Sequence, residues 1–296
     1  MMNSKLIASL LVFFCCLLKA DESPRTTAVK GVRLFFCGHS FHFHVPAMLD
    51  EIAKGEGIAD EVIVGKSMIG GSKVIQHWNV KDVDNKAKAA LLAGDVDVLT
   101  TTPIYLPDEG MEKFAELGLA HNPNFRMTVQ EFWLPFDQYE PHFYDAPKIP
   151  KPLHVDHNAA TGDSLSALHT RYFRELDDAV TAMNTKMGKP VAFVVPMGQA
   201  VIALREKIIA GQAPGLKMQE DLFTDTLGHP KPALQALIVY AHYAVIYRKT
   251  PVGLPIPQAL KDGKIPADNL PALTRLLQEI AWDAVTHHPL SGVTAR

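Results

Sequence analysis

The chain has 296 residues, of which 47% are hydrophobic and 21% are charged, and this balance excludes general disorder and favours one large globular domain with elaborations. Its 29 Lys and Arg residues nearly balance its 32 Asp and Glu residues, which leaves a net charge of −3 at pH 7. A general nucleic-acid-binding protein carries a clear positive excess, so the composition argues against that class.

The first twenty residues have the pattern of a secretory signal peptide. Lys5 supplies a positive charge, residues 6–18 form an apolar run, and Ala20 is a small residue at a plausible cleavage point. A membrane-spanning helix needs roughly 20 apolar residues, and no later segment of the sequence reaches that length. We therefore predict export, with residues 1–20 as the signal peptide and no stable membrane span. Removal of this segment leaves Cys37 alone, so we expect no intramolecular disulfide.

From residue 32 onward, β-rich runs alternate with helical stretches, which is typical of a parallel sheet with helices on both faces. Strands are predicted at residues 32–37, 61–64, 96–99, 126–130 and 191–195. Helices are predicted near residues 46–54, 74–92, 112–119, 165–187, 198–209 and 233–248. The predicted fold class is an α/β protein, a three-layer α/β/α sandwich with a five-stranded parallel sheet.

Two segments depart from this alternation. Residues 133–160 are rich in Pro, His and aromatic residues, and we expect a long ordered loop there. Its aromatic side chains either hold a sugar or an acyl group or only fix the loop. These side chains are Trp133, Tyr139, Phe143 and Tyr144. Residues 256–296 carry an apolar stripe at helical spacing and are predicted to form a C-terminal helical extension to a domain over residues 30–255.

Polar residues with catalytic chemistry follow the first and last predicted strands, at the edge where open parallel sheets place their working groups. Ser40 follows the first strand, and Asp225 and His229 follow the last. A serine hydroxyl becomes a nucleophile when a histidine takes its proton and a carboxylate orients that histidine, so these residues predict a Ser-His-Asp triad. The alternative interpretation is that Ser40 and Asp225 only cap helices.

Two features of the sequence surround this candidate triad. Gly70 and Gly71 follow the second strand, and glycines let backbone N–H groups approach a reacting carbonyl, so they predict an oxyanion hole together with the amide of Ser40. The G-x-S-x-G elbow of α/β-hydrolases is not matched, because His42 occupies the place of the second glycine.

The sequence Gly38-His39-Ser40-Phe41 resembles the nucleophile block of the SGNH or GDSL hydrolases, with His39 in place of the usual Asp or Asn. The resemblance extends in order over residues 32–254. It implies a flavodoxin-like fold, with Ser40 as the nucleophile and Gly70, or its neighbour Gly71, as an oxyanion donor. The family's last block, Asp-x-x-His, is similar to Asp225 and His229 and implies that they are the triad acid and base.

The sequence departs from the family pattern at two places. The family's third block supplies an oxyanion-hole Asn after strand three, whereas this chain has Thr100-Thr101-Thr102-Pro103 there. Asn122 and Gln130 are candidates for the missing donor, although no motif assigns either of them. The spacing from Asp225 to His229 is also one residue longer than in the family.

The function predicted from these residues is that of an exported serine esterase that cleaves carboxylic esters, with O-acetyl groups on carbohydrate as the suggested substrate. The expected partner is thus a small-molecule or carbohydrate ester. No cofactor is expected, because neither a dinucleotide fingerprint nor a phosphate loop is present. The main alternative is a catalytically inactive glycan- or protein-binding protein on the same fold. A metal-dependent phosphoesterase using His39, His42 and His44 ranks third, and we predict no metal site.

Overall fold

The centre of the protein is a twisted sheet of five parallel strands. In this computed structural model, which describes residues 29–58, 60–138 and 155–294, the strands are adjacent in the order β2-β1-β3-β4-β5. They are β1 (Arg33–Gly38), β2 (Val62–Met68), β3 (Val98–Thr101), β4 (Arg126–Glu131) and β5 (Ala192–Pro196). This is the flavodoxin-like order, so the predicted three-layer α/β/α fold class is confirmed.

Helices connect the strands and cover both faces of the sheet. Those in the described residues are α1 (Val45–Gly55), α2 (Val74–Trp78), α3 (Lys86–Leu92), α4 (Glu109–His121), α5 (Gly162–Lys186), α6 (Met197–Ile209), α7 (Pro232–Tyr247), α8 (Gln258–Lys261) and α9 (Leu270–His287). The chain moves from β1 outward to β2 and then returns past β1 to β3. Because parallel crossovers are right-handed, this reversal puts α1 on one face and the next helices on the other.

The prediction of one helix over residues 74–92 is wrong, because Asn85 divides this segment into α2 and α3. Its side-chain amide donates to the carbonyl oxygens of His77 and Trp78 at the end of α2, over 2.9 and 3.1 Å. Its side-chain oxygen accepts from the N–H of Lys88 in the first turn of α3, over 3.0 Å. One side chain therefore ends one helix and begins the next.

The C-terminal helix α9 packs against α7, and its Leu273, Leu277 and Ala281 are fully buried. Helix α7 itself is buried almost all round, as expected for a helix between the sheet and a second helical layer. No helix in the described part of the chain is long and apolar enough to cross a bilayer. The predicted signal peptide and three of the loop aromatics, Tyr139, Phe143 and Tyr144, lie outside the described residues.

The reversal of chain direction creates a crevice at the carboxyl ends of β1 and β3. In open α/β sheets ligands bind at such a switch point. The chain leaves β1 here through Ser40, so the fold places this serine at the crevice.

Candidate active site

Ser40, His229 and Asp225 form a connected hydrogen-bonded row, although Ser40 and His229 lie 189 positions apart. The Ser40 hydroxyl donates to Nε2 of His229 over 2.8 Å. Nδ1–H of His229 donates to Oδ2 of Asp225 over 2.7 Å. The structure thus brings the sequence-predicted nucleophile, base and acid together in the order that serine catalysis requires.

A short 3-10 turn, Ser40–His42, follows β1 and presents the candidate nucleophile, Ser40. Gly38 is required at the end of β1, because a Cβ there would approach the His42 ring to 2.8 Å. The N–H of His39 donates to the Thr102 hydroxyl over 3.2 Å, and Nδ1 of His39 accepts from the N–H of Phe41 over 3.3 Å. His39, not Ser40, is therefore the capping residue of this turn.

His42 anchors the nucleophile turn to the sheet. Its Nδ1–H donates to Oε1 of Gln130 on β4, and the Thr100 hydroxyl on β3 donates to its Nε2, each over 2.9 Å. His42 is fully buried, and burial lowers its pKa to about 4, so the ring is neutral near pH 7. The side chain that replaces the elbow glycine thus ties the turn to two strands.

An extended segment would place His42 and His44 on one face, but residue 42 ends the 3-10 turn and residue 44 precedes α1. His42 points into the core instead. Among residues 29–58, 60–138 and 155–294, no group of three or more His, Cys, Asp or Glu side chains is arranged to hold a metal ion.

Asp225 and His229 lie on a tight hairpin between the last strand and α7. Phe223 and Pro230 pair across it in antiparallel fashion, and the N–H of Thr224 donates to the His229 carbonyl over 2.8 Å. Gly228 has a φ of 99°, a conformation that L side chains rarely adopt. This turn accommodates the extra residue between Asp225 and His229, so the longer spacing still gives a close contact between the two side chains.

Asp225 accepts more than the imidazole N–H. Its Oδ1 also accepts from the backbone N–H groups of Gly228 and His229, over 3.1 and 3.2 Å. Burial alone would raise the pKa of Asp225, but hydrogen bonds from the His229 side chain and from the two amides outweigh it and hold the pKa below its ordinary value. Asp225 is therefore ionised at neutral pH and able to stabilise an imidazolium. It does not cap α7, whose N-cap residue is Lys231.

Trp133 links the two halves of the site. Its Nε1–H donates to the carbonyl of Gly228 over 2.9 Å, and its indole stacks on Phe41 with ring centroids 4.7 Å apart. Only 1% of Trp133 is exposed, so this aromatic residue of the predicted loop fixes the loop rather than offering a face to a sugar.

The segment after Trp133 is held by buried polar contacts. The N–H of Leu134 donates to Nε2 of His169 over 2.9 Å. Asp137 binds the guanidinium of Arg205 through both carboxylate oxygens, over 2.6 and 2.8 Å. Arg205 is 1% exposed, and a bidentate pair of this kind fixes orientation as well as position.

Gly70 and Gly71 form a tight turn after β2, which the Ser72 N–H closes by donating to the Ile69 carbonyl over 3.3 Å. Gly71 has a φ of 62°, which explains the need for glycine there. The hydrogen bonds that close this turn and the nucleophile turn use the amides of Ser72 and His42. In the described part of the chain, no acceptor is hydrogen-bonded to the amides of Ser40, Gly70 and Gly71.

His77 fixes this glycine turn from behind. Its two ring nitrogens contact the hydroxyl oxygens of Ser67 on β2 and Ser72 at the turn, each over 2.7 Å. His77 and Ser72 are each 2% exposed, and burial lowers the pKa of His77 to about 4. The neutral ring thus bridges the strand to the turn.

A cavity of about 350 Å³ joins these parts, since Ser40, His229, Gly70 and Gly71 all line it. His39 also lines it, and Nε2 of His39 is buried without a hydrogen-bond partner in the described part of the chain. The arrangement therefore places a hydroxyl that is hydrogen-bonded to an imidazole, together with backbone N–H groups, around one space, and acyl transfer needs both components.

The two candidates for the missing oxyanion-hole Asn are both wrong. Asn122 lies at the amino ends of β3 and β4, away from the cavity, and its amide donates to the carbonyl of Val96 over 2.9 Å. Gln130 is fully buried beneath the nucleophile turn, and its Oε1 accepts from His42 and also from Nε2 of His242, over 2.8 Å in the latter case. Among the described residues no Asn side chain lines the cavity.

Sequence reasoning missed the supporting roles of His42, His77 and Arg205. A signal exists for His42 and His77, because each lies within a few residues of a predicted site residue. None exists for Arg205, whose partner Asp137 is distant in sequence.

No family model matches this chain, and no curated protein matches it. Among solved structures, one similar chain is a candidate GDSL-like lipase from Parabacteroides merdae, at 12% identity and a TM-score of 0.40, covering 88% of this chain and 98% of that one. Another is the polysaccharide biosynthesis enzyme WcbI, at 14% identity and a TM-score of 0.33, covering 76% of this chain and 73% of that one. Similarity at this level assigns neither a family nor an activity.

Proposed function

We propose that this protein is an exported serine hydrolase that cleaves carboxylic esters through an acyl-enzyme. The observation that carries the proposal is the unbroken row from the Ser40 hydroxyl through His229 to Asp225, at 2.8 and 2.7 Å. Export rests on the signal-like segment at residues 1–20.

In the proposed reaction, His229 accepts the proton of Ser40 as the serine oxygen attacks the acyl carbon of the ester. Asp225 holds the imidazole in the required tautomer and stabilises its positive charge. The amides of Ser40 and Gly70, with Gly71 beside them, stabilise the oxyanion. His229 then protonates the departing alcohol and afterwards activates the water that releases the acid.

The second candidate function, an inactive binding protein on this fold, is favoured by one observation. No Asn side chain lines the cavity among the described residues, and loss of one oxyanion donor lowers turnover by about a hundredfold to a thousandfold in other enzymes. The intact triad geometry favours catalysis over this candidate.

A fluorophosphonate probe separates the two functions. The esterase predicts one covalent adduct per chain, mapped to Ser40 by peptide mass spectrometry and absent from Ser40→Ala. Ser166→Ala, which changes an exposed serine on α5, is the matched control and should label like the unmodified protein. Folded protein that remains unlabelled, or labelling that persists in Ser40→Ala, would refute the proposal. Export is tested separately by the N-terminal sequence of the protein recovered outside the cytoplasm, which should begin at Asp21.

A further inference from the structure

The cavity beside Ser40 has apolar walls. Side chains of Phe41, Ile104, Phe132, Pro135 and Leu227 form most of them, and the polar contribution comes from the candidate catalytic groups, His39 and the glycine turn. Among the described residues, no Asp, Glu, Lys or Arg side chain lines the cavity. A charged or strongly hydrated group that entered it would lose water without gaining an ionic partner.

The volume of the cavity exceeds what an acetyl group needs. At roughly 30 Å³ for each water-sized group, a cavity of about 350 Å³ accommodates on the order of ten such groups. The reacting ester group occupies part of this space, and the remainder is large enough for several methylenes.

The walls are fixed by packing. Phe41 and Phe132 are 2% and 1% exposed, and the ring of Phe132 lies edge-on to Tyr172 with centroids 4.9 Å apart. The loop that carries Ile104 is held by the Tyr172 hydroxyl, which donates to the Pro103 carbonyl over 3.1 Å. Phe41, Ile104 and Phe132 therefore form a buried, close-packed part of the wall, and this part limits the length of a chain bound against it.

We propose that this cavity binds the acyl part of the ester and selects an uncharged aliphatic acyl chain of about four to eight carbons. This inference rests on the proposed function. It replaces the acetyl group suggested by the sequence with a longer apolar chain. The alcohol part of the ester would lie toward the side of the cavity that opens to solvent.

Selection follows from the burial of methylenes. Each methylene transferred from water to the cavity raises kcat/KM about fourfold until the chain reaches the wall. A hexanoyl ester should therefore exceed an acetyl ester by on the order of a hundredfold. Chains longer than the cavity should lose this advantage.

The experiment uses p-nitrophenyl esters from acetate to dodecanoate, with the charged hemisuccinate for comparison with pentanoate. Values of kcat/KM are normalised to the fraction of chain that reacts with the fluorophosphonate probe. We expect a maximum between butanoate and octanoate, and at least a tenfold lower value for the hemisuccinate than for pentanoate.

Two opposite changes at Ile104 test the wall itself. Ile104→Trp should lower the octanoate-to-acetate ratio at least tenfold, and Ile104→Ala should move the maximum to a longer chain. Ile209→Trp changes an exposed isoleucine on α6 and is the matched control, with an unchanged ratio. Because each ratio is measured within one protein, partial misfolding of a variant does not affect it. If Ile104→Trp fails to fold, Leu227→Trp narrows the same cavity and should lower the ratio likewise.

Some outcomes overturn only this inference. Acetate hydrolysed as well as hexanoate, hemisuccinate hydrolysed as well as pentanoate, or an unchanged profile in the folded wall variants would refute acyl selection while Ser40 still labels. Absence of both labelling and hydrolysis would instead refute the proposed function, and the inference with it.

Discussion

The imidazole of His229 meets the ring of Phe41 edge to face, with centroids 5.3 Å apart and ring planes at 83°. Phe41 directly follows the nucleophile and also stacks on Trp133, which binds the carbonyl of Gly228 next to His229. Phe41 thus links Ser40 to His229 through aromatic contacts. In the proposed reaction Trp133 is a positioning residue, because it contacts neighbours of the proposed catalytic groups.

Replacing Trp133 with Phe keeps an aromatic ring against Phe41 and removes the N–H that Gly228 accepts. We expect kcat to fall by about tenfold to a hundredfold, because small displacements of a catalytic group are costly. KM should change little, since Trp133 does not line the cavity. Steady-state kinetics on one ester measures both constants. Trp282→Phe, on α9, is the control, and an equal loss of kcat there would show a general effect of removing indole.

Asp225→Asn tests the role of the carboxylate separately from its role in the hairpin. An Asn oxygen can still accept from the amides of Gly228 and His229, but its NH₂ group then faces Nδ1 of His229 and favours the wrong tautomer. We expect kcat to fall by on the order of a thousandfold to ten-thousandfold, with the melting temperature nearly unchanged.

The chain offers a matched control for this change. Asp283 and His287 on α9 have the same four-residue spacing. Oδ1 of Asp283 lies 3.1 Å from Nδ1 of His287, and both side chains are exposed. Asp283→Asn should leave kcat unchanged. Retention of more than a tenth of kcat by Asp225→Asn would contradict the assignment of this carboxylate.

The bridge through His77 predicts different effects for its two serine partners. Ser72→Ala frees the glycine turn from its support, so kcat should fall at least severalfold and the protein should also lose about 1–3 kcal/mol of unfolding free energy. Ser67→Ala removes the partner on β2, away from the turn, and should lower stability without a comparable loss of kcat. Chemical denaturation and steady-state kinetics on the same samples provide the comparison. An unchanged kcat in Ser72→Ala would count against a role for His77 in holding the glycine turn.

Acid should destabilise the protein through its buried histidines, and His169 offers the clearest test. Its Nδ1–H donates to the Leu165 carbonyl and its Nε2 accepts from Leu134, so a second proton has no acceptor. Burial lowers the pKa of His169 to about 4. Since the unfolded chain binds this proton near its ordinary pKa of about 6.5, stability falls as pH drops from 6.5 to 4.

His169→Gln keeps a neutral donor and acceptor and removes the titration. Between pH 4 and 6.5 its unfolding free energy should depend on pH less steeply than that of the parent protein, by up to about 1.4 kcal/mol per pH unit. Burial raises the pKa of Glu131 to about 7, which gives a slope of opposite sign, but Glu131 is the same in both proteins and cancels in the difference. The unfolding free energy is measured by urea denaturation at several pH values. The same dependence on pH in both proteins would contradict the prediction.

The sheet could be predicted from the sequence, because its strands are short apolar runs that alternate with helical stretches along the chain. The sequence also placed Ser40 and the Asp225–His229 pair at one edge, since both follow strands whose carboxyl ends must share that edge. It could not show the division of residues 74–92, where the apolar spacing continues and a single capping side chain, Asn85, decides the break.

The sequence also could not predict which polar side chains form hydrogen bonds with distant parts of the chain. Gln130 ends a strand like a site residue, yet it accepts hydrogen bonds from His42 and His242 inside the core. Asn122 has the right chemistry for an oxyanion donor but lies at the amino ends of the strands, whereas the site lies at their carboxyl ends. Nothing local in the sequence distinguishes a buried structural amide from a catalytic one, because the difference depends on contacts far apart in the chain.

The 189 positions between Ser40 and His229 also bear on the order of events during folding. A contact between such distant positions forms only after the intervening strands have found their neighbours, since closing so long a loop is entropically unfavourable. During refolding, recovery of hydrolytic turnover is therefore expected to trail recovery of helical ellipticity. Recovery of turnover would then report that assembly of the sheet is complete.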